Sequence, residues 1–475
     1  MEEYKEKFIK FLFDTGALKI NGNQGEGFTL KSKRESPWFV NIGDFNEGET
    51  SSALGGFYAD ALMHLESDFD ILYGIPEKGN ALAVATAIEM SRRGRNVPWF
   101  FTRKTPKEYG EASNLTTAER IKALVVGRAP KEMSKIVQLD DVFTAGDAKY
   151  EARAVLQSLG KFELPVLAIA VNRQEVGLDG KSAIEEYEKQ TGTKVVSVVS
   201  ASDVYESLIN NGMSDNAIER MANYLRVYGS KEVQKNIEKT EHAIIERDRS
   251  VIPSCDVETL EQFEELVKQT ADIDGIGGYK IGFELGLKYG LPRVVEIVKK
   301  YTNKPIIYDH QKAGTDIPDT GKNFARTMKK AGVDAVIFFP QAGPETERAW
   351  IYHALDYGLK VIVGGRMTHP AYAVSEGGFI TDEGALEIYR IAARIGINNF
   401  VVPGNKPEVI KQIKEVIEAE GVSPVFYAPG FIAQGGNISD AAKVAGEKFH
   451  GIVGRGIYAA PDMRAAALEH TSQIN

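Results

Sequence analysis

The chain has 475 residues, 43% of them hydrophobic and 26% charged, with a formal net charge of −9. These values are typical of globular proteins with two or three domains, and the negative charge disfavours a dedicated nucleic-acid binder. The single cysteine, Cys255, excludes an intrachain disulfide and fits a reducing cytoplasm, where we expect the protein. No stretch approaches 18 uninterrupted apolar residues, so we predict no membrane span.

The first part of the chain alternates between predicted strands and helices. An amphipathic helix is predicted at residues 2–15. Further on, strands are predicted at 70–74, 97–102, 135–139 and 165–171, with helices at 80–92 and 147–159. Such alternation is typical of a parallel sheet covered by helices on both faces. Ligands of these sheets bind at the carboxyl ends of the strands.

One strand end carries two adjacent carboxylates. Asp140 and Asp141 follow the strand at 135–139, and Thr144, Ala145 and Gly146 then form a turn into a helix. Carboxylates at the end of an apolar strand are costly unless they meet hydroxyls or a metal, and the free N–H groups of a helix start suit a phosphate. The stretch predicts a sugar-phosphate site. The alternative is a helix-capping aspartate beside a solvated one.

This motif resembles the phosphoribosyl pyrophosphate (PRPP) loop of type I phosphoribosyltransferases, and three further segments are similar to the orotate phosphoribosyltransferase family. Residues 28–32 and 36–39 resemble its orotate-binding segment, residues 73–79 its pyrophosphate-contacting turn, and residues 101–111 its mobile catalytic loop. Lys33, Tyr109 and a basic insert at 118–131 depart from the family pattern.

The resemblance implies roles for individual residues. Lys107 would be the main catalytic cation of the loop, and Mg²⁺ would accompany PRPP. Orotate contacts are implied for Lys31, Trp38 and Phe39. PRPP contacts are implied for Lys78, Arg103, Lys104, Asp140, Asp141, Thr144, Ala145 and Gly146.

A charge-rich stretch, predicted to be helical, separates this part from a second series of alternating strands and helices. We predict a first domain at residues 1–212, a helical connector at 213–249 and a second domain at 250–475. Strands in the second domain are predicted at 251–255, 279–283, 305–308, 335–339, 360–363, 399–402, 424–427 and 451–453. Eight βα units in about 225 residues predict a closed (β/α)8 barrel with its site at the strands' carboxyl ends. The predicted fold class is therefore α/β, a phosphoribosyltransferase-like parallel sheet followed by a TIM barrel.

Three ionisable groups cluster after the third barrel strand: Asp309, Lys312 and Asp316. A buried cation between carboxylates is costly unless the charges meet and stay hydrogen-bonded. The cluster therefore predicts an ion-pair scaffold or a proton-transfer site, and a solvated loop with incidental charges is the alternative. Glycines and Arg455 after the last two strands match the place where barrels commonly hold phosphate.

This half resembles the orotidine 5′-monophosphate (OMP) decarboxylase family. Asp309, Lys312 and Asp316 look like its charge array, with Lys312 as the proton donor. Asp316, Ile317 and Thr320 look like residues that cross to the partner in the family's dimer. OMP contacts are implied for Asp256, Lys280, Ile317, Thr320, Thr368, Gln434, Gly435, Gly454 and Arg455.

The array departs from the family pattern, because each of its two gaps holds one extra residue and His310 could compete with Lys312 as the cation. The resemblance implies no metal or organic cofactor for this half.

Together, the two resemblances predict a bifunctional enzyme. The first half would join orotate to PRPP, and the second would decarboxylate the resulting OMP to uridine monophosphate (UMP). The expected partners are these small molecules and further copies of the chain, as a homodimer or larger homo-oligomer, with no nucleic acid or membrane. The alternative is a PRPP-sensing regulatory domain fused to a Mg²⁺-dependent sugar-phosphate lyase barrel.

Overall fold

The computed structural model divides the chain into two compact units, Met1–Asn236 and Ile237–Asn475. It describes residues 1–65, 68–103, 123–143, 146–177, 180–237, 243–310, 315–431 and 436–474. The division falls inside the segment 213–249 that we predicted as a connector. None of the helices in the described ranges is long and apolar enough to cross a membrane.

A six-stranded sheet forms the centre of the first unit, in the order β10-β9-β8-β5-β6-β7, and only the β6–β7 pair is antiparallel. Two small antiparallel pairs, β1 with β4 and β2 with β3, precede it. The strands are β1 (Leu18–Ile20), β2 (Phe28–Thr29), β3 (Glu35–Ser36), β4 (Trp38–Val40), β5 (Ile71–Gly74), β6 (Trp99–Thr102), β7 (Val125–Gly127), β8 (Lys135–Leu139), β9 (Glu163–Asn172) and β10 (Lys194–Ser200).

Helices surround this sheet, as the alternating pattern predicted. They are α1 (Glu3–Asp14), α2 (Gly48–Met63), α3 (Lys78–Arg92), α4 (Asp147–Leu159), α5 (Ala183–Thr191), α6 (Ala201–Asn210), α7 (Asp215–Tyr228) and α8 (Lys231–Asn236). Strands β5 and β8 pair in parallel with Gly74 opposite Leu139. The segments that follow these two strands therefore start side by side at the carboxyl ends of the strands. Apolar residues of both strands, including Tyr73 and Ile136, are fully buried in the core.

The second unit is an eight-stranded parallel barrel, as predicted. Its strands pair in the order β11-β18-β17-β16-β15-β14-β13-β12. Parallel bridges from Val251 to Ile276 and from Ser254 to Lys280 join the two ends of this series. The strands are β11 (Arg249–Pro253), β12 (Tyr279–Ile281), β13 (Ile306–Asp309), β14 (Ala335–Phe338), β15 (Lys360–Gly364), β16 (Asn399–Val401), β17 (Val425–Ala428) and β18 (Phe449–Val453).

Side chains that point inward from successive strands fill the barrel, among them Ile252, Ile307, Ile337, Ile362 and Ile452. The outer helices are α9 (Leu260–Thr270), α10 (Phe283–Tyr289), α11 (Leu291–Tyr301), α12 (Thr320–Lys330), α13 (Pro344–Asp356), α14 (Asp382–Ile395), α15 (Pro407–Ala419), α16 (Ile438–Ala445), α17 (Arg455–Tyr458) and α18 (Met463–Ser472). Because the packed core closes the interior, polar residues after the strands are left at the carboxyl end of the barrel.

Candidate active sites

The acidic pair of the first unit lies directly after β8, and each carboxylate has its own lysine. Lys149 Nζ lies 2.6 Å from Asp140 Oδ2, and Lys78 Nζ lies 2.5 Å from Asp141 Oδ2. Lys78 begins α3 at the end of the turn that follows β5, whereas Lys149 lies in the first turn of α4. The prediction placed Lys78 and the acidic pair in one site, and the structure brings them together.

The turn that bears Lys78 packs tightly against β8. A Cβ atom at Gly79 would lie 2.2 Å from the carbonyl oxygen of Leu139, so only glycine fits there. This close approach brings the Lys78 ammonium to the end of the neighbouring strand, where Asp141 lies.

Asp140 is almost fully buried. Burial raises the pKa of this carboxyl group, and the ammonium of Lys149 opposes that rise. The backbone N–H of Asp141 donates to Asp140 Oδ1 at 2.9 Å, and the hydroxyl of Tyr58 donates to the Asp140 carbonyl at 2.7 Å. These contacts fix the carboxylate at the strand end.

Part of the predicted PRPP site falls on residues whose structure is not described. Thr144, Ala145, Lys104 and Lys107 lie outside the described residues. Gly146 precedes α4 with φ 91°, a conformation that favours glycine. Arg103 directly follows β6, which pairs in parallel with β5. Arg103 therefore lies at the same end of the strands as the turn that bears Lys78.

The predicted orotate segment is spread between surface and core. Lys31 is exposed, between β2 and β3, and Phe39 is half-buried with its ring centroid 5.7 Å from that of Phe28. Trp38, in contrast, is fully buried. The structure therefore places Trp38 beneath the segment as a support, and not on its surface.

Arg173 is a residue of this region that sequence reasoning missed. It follows β9, and its guanidinium lies 4.0 Å from the centroid of the Trp38 ring while also donating to Ser36 Oγ at 3.1 Å. Burial lowers the pKa of Arg173, but the carboxylate of Glu175 at 2.7 Å more than offsets this and leaves the pKa raised. A cation directly after a long apolar strand was the available signal.

In the second unit, a buried lysine lies between two carboxylates. Lys280 Nζ, on β12, is 3.1 Å from Asp309 Oδ2 and 3.8 Å from Asp256 Oδ1. Burial alone would lower the pKa of Lys280, but the two carboxylates outweigh it and raise the pKa. Ser254 Oγ donates to Asp256 Oδ2 at 2.6 Å and so orients that carboxylate.

These charges line a cavity of about 250 Å³ at the carboxyl end of the barrel. Three other predicted residues, Thr368, Gly454 and Arg455, line the cavity. Asn405, which was not predicted, donates from Nδ2 to the Thr368 carbonyl at 3.1 Å. Apolar side chains, including Ile337 and Phe431, form much of the remaining wall. Lys312, Gln434 and Gly435 lie outside the described residues.

His310 is held away from this cavity. Its Nδ1 lies 2.5 Å from the hydroxyl of Tyr308, and neither residue is among those that line the cavity. Tyr308 precedes the inward-facing Asp309 on β13, so its side chain points to the opposite face, where its ring lies 6.3 Å from that of Phe324 on α12. In this position His310 cannot replace a cation of the site.

The segment after the charge array presents side chains to solvent. Asp316 and Ile317 are exposed, although their carbonyls accept hydrogen bonds from Thr346 Oγ1 at 2.9 Å and from Trp350 Nε1 at 3.1 Å. Thr320 donates to the Ile317 carbonyl at 2.8 Å. The backbone is thus fixed on α13, while Asp316 and Ile317 face outward and do not line the chain's own cavity.

Comparisons with known proteins match each half of the chain to a different family. Residues 249–470 match the family model described as "Orotidine 5'-phosphate decarboxylase / HUMPS family". The N-terminal half is similar to orotate phosphoribosyltransferases, with 38% identity over 230 residues to that of Thioalkalivibrio sulfidiphilus and 39% over 230 residues to that of Alteromonas mediterranea. Each match covers 48% of this chain and 100% of the relative.

Two solved structures are similar to parts of this chain. An orotate phosphoribosyltransferase from Francisella tularensis is 27% identical, with a TM-score of 0.40. The match covers 47% of this chain and 100% of the Francisella chain. An orotidine 5′-monophosphate decarboxylase from Methanocaldococcus jannaschii is also 27% identical, with a TM-score of 0.43. The match covers 48% of this chain and 100% of the decarboxylase chain.

Proposed function

The chain belongs to the orotate phosphoribosyltransferase family through its N-terminal half and carries an OMP decarboxylase-type barrel in its C-terminal half, and from this premise we propose that it makes UMP in two consecutive steps. Orotate and PRPP give OMP and pyrophosphate, and OMP then gives UMP and CO₂. The observation that carries the proposal is this pairing, because the product of the first family's reaction is the substrate of the second. The arrangement fits a bifunctional UMP synthase.

In the first step, the ring nitrogen of orotate loses its proton to solvent and attacks the ribose carbon of PRPP, and the bond from that carbon to pyrophosphate breaks. The departing group gains negative charge, which a cation at the sheet edge stabilises. The Lys78 side chain is 62% exposed, so it can exchange the Asp141 carboxylate for pyrophosphate. Arg103, Lys104 and Lys107 add cations from the predicted loop, which would close over the sugar during the reaction.

We propose that Mg²⁺ enters this site as the PRPP complex. Asp140 and Asp141 are both paired with lysines, and the described part of the chain holds no cluster of three side chains suited to a metal. Mg²⁺ commonly binds through substrate phosphates and water with few protein ligands. The two carboxylates would then accept hydrogen bonds from the ribose hydroxyls or from Mg²⁺-bound water.

In the second step, the barrel cavity would hold OMP. Arg455 and the backbone of Gly454, with Gln434 and Gly435, would bind the phosphate, and Thr368 would contact the pyrimidine. Lys280 and Asp256 would hold the ribose side. Binding energy from the phosphate and ribose then assists the chemistry at the distant carboxylate.

The C–CO₂ bond breaks and a proton replaces the carboxylate on the ring carbon. Asp309 would face the leaving carboxylate, and Lys312 would deliver the proton. A lysine flanked by carboxylates stays protonated until that transfer, which suits a strong general acid. Asp309 would also orient Lys280, because the two are in contact within the cavity.

The rival function is a barrel lyase that acts on sugar phosphates through Mg²⁺. Lys280 disfavours it, because its ammonium occupies the position between Asp256 and Asp309 that a metal bound by both would need. A PRPP sensor is also disfavoured, since the first half matches orotate phosphoribosyltransferases over their full length.

Two assays of the full chain separate these functions. We expect protein treated with a chelator to convert supplied OMP to UMP and CO₂ at the untreated rate, while orotate consumption with PRPP stops until Mg²⁺ is restored. OMP decarboxylation that needs Mg²⁺ would favour the lyase. PRPP binding without pyrophosphate release would favour the sensor.

We also propose that the chain works as a homodimer or larger homo-oligomer. The support is the exposure of Asp316 and Ile317 on a fixed backbone, together with their likeness to residues that cross between subunits in the decarboxylase family. Such side chains would complete the cavity of a neighbouring subunit.

A further inference from the structure

Helix α4 directs a lysine into the core of the first unit. Its buried residues are Lys149, Ala152, Leu156 and Leu159, which recur at helical spacing, so Lys149 occupies one end of an otherwise apolar stripe. Lysine is almost never fully buried unless it is paired. Here the ammonium donates to Asp140 Oδ2 at 2.6 Å and to the Val142 carbonyl at 2.7 Å.

The two lysines at the acidic pair differ in their freedom to move. The Lys149 side chain is 7% exposed, whereas that of Lys78 is 62% exposed. Lys78 can reach outward to an anionic ligand, because most of its side chain is already in contact with solvent. Lys149 has no comparable route to solvent, so its contact with Asp140 persists while Lys78 changes partners.

The Lys149 contact leaves Asp140 able to act on a ligand. An ionised carboxylate has about four acceptor positions, and Lys149 and the Asp141 N–H use one on each oxygen. The remaining positions can accept from hydroxyl groups. Without a cation, a carboxyl group this deeply buried would favour its protonated form and lose part of that capacity.

We propose that Lys149 is a positioning residue for PRPP, holding the Asp140 carboxylate ionised and in one orientation so that it accepts hydrogen bonds from the ribose hydroxyls. The inference rests on the proposed phosphoribosyltransferase function and deepens it. Lys149 does not touch the substrate and acts only through Asp140. The exposed Lys78 serves the pyrophosphate, and the buried Lys149 serves the ribose.

The test uses the full chain with three single variants. Lys149→Gln keeps a hydrogen-bond donor but removes the charge, Asp140→Asn removes the carboxylate, and Lys189→Gln removes an exposed lysine of α5 as the matched control. Binding of PRPP with Mg²⁺ is measured by calorimetry, and KM values for PRPP and orotate by pyrophosphate release. OMP supplied directly reports on the second unit.

We expect Lys149→Gln to raise the Kd and KM for PRPP about tenfold, the size expected for losing a hydrogen bond to a charged group, with the KM for orotate and the OMP decarboxylation rate unchanged. Lys189→Gln should match the wild type in every assay. PRPP affinity equal to wild type in Lys149→Gln overturns the proposal. So does a parallel loss of PRPP and orotate affinity, which a purely structural role would produce.

The double variant Asp140→Asn/Lys149→Gln tests the route of action, even if Lys149→Gln alone does not fold. When one residue acts through another, the second substitution adds little to the first. The double variant should therefore bind PRPP as Asp140→Asn does, and a further large loss would overturn the proposal. Wild-type protein that binds PRPP without consuming orotate would contradict the proposed function only, and a failure to bind PRPP would contradict both.

Discussion

At the scale of single residues, both units contain a buried carboxylate in contact with a buried lysine. These pairs are Asp140 with Lys149 and Asp309 with Lys280, and all four side chains are less than 10% exposed. Removing one partner of a buried pair typically costs about 3–5 kcal/mol, because the other charge is left uncompensated. Such pairs hold charge in a fixed place, as substrate alignment requires.

The proton donor of the barrel can be tested with two neighbouring substitutions. Lys312→Ala should lower OMP decarboxylation about 100-fold or more, the usual size of a general-acid contribution, and leave OMP accumulating from orotate. His310→Ala should keep most of the activity, because His310 bonds to Tyr308 on the side away from the cavity. Chromatography of the nucleotide products measures both, and normal UMP output from Lys312→Ala would refute the assignment.

Some residues could not have been assigned from the sequence. A lysine in a helix is normally solvent-exposed, and only the fold shows that Lys149 lies on the buried face of α4. Trp38 lies beside Phe39 in the chain, yet strand alternation buries one and leaves the other half-exposed. The Lys78–Asp141 contact was foreseeable, because both residues were predicted to follow strands of one parallel sheet.

At the scale of elements, the barrel was predictable because its strands are short apolar runs buried on both faces. The ends of strands were less predictable. The run at 165–171 was predicted as a strand, whereas β9 spans Glu163–Asn172, because its terminal residues Glu163 and Asn172 are polar and give no apolar signal. Similarly, β11 begins at Arg249, two residues before its predicted start.

The turn between β5 and α3 depends on one glycine. Gly79→Ala should lower the free energy of unfolding of the first unit by about 1–3 kcal/mol and weaken PRPP binding, because the added methyl group meets the Leu139 carbonyl. Gly48→Ala, at the start of α2, is the matched control, since no atom lies within 4 Å of its added methyl group. Urea denaturation and PRPP titration measure the two effects, and equal behaviour of both variants would contradict this account.

At the scale of the whole molecule, barrel stability should depend on pH through His450. This residue of β18 is buried with Nδ1 2.8 Å from Ser250 Oγ on β11, and burial, aided by Arg247, lowers its pKa from 6.5 to about 3. Above pH 6.5 the imidazole is neutral in the folded and unfolded states. Between pH 6.5 and 3 only the unfolded chain gains the proton, so stability falls by up to about 1.4 kcal/mol per pH unit.

Urea denaturation of the second unit between pH 8 and pH 5 measures this dependence. His450→Asn keeps a hydrogen-bonding group but does not titrate, so its stability should fall less steeply below pH 6.5. If stability falls equally steeply with pH in the variant and the wild type, other groups control the loss of stability at low pH.

The proposed assembly can be tested by mixing two inactive chains. Lys280→Ala and Asp316→Ala would each lose OMP decarboxylation alone. If Asp316 serves the neighbouring subunit, mixed dimers contain one cavity with both native residues, and activity should return on mixing. Activity that stays absent after subunit exchange, confirmed by tagged copurification, would place Asp316 in its own chain's site.

The central claim is that one chain carries out both steps. The most direct measurement incubates the purified full-length protein with orotate, PRPP and Mg²⁺ and follows orotate, pyrophosphate, CO₂ and nucleotides over time. The account predicts UMP, with one pyrophosphate and one CO₂ released for each orotate consumed. OMP as the final product would contradict the assignment of the barrel, and unchanged orotate would contradict that of the first unit.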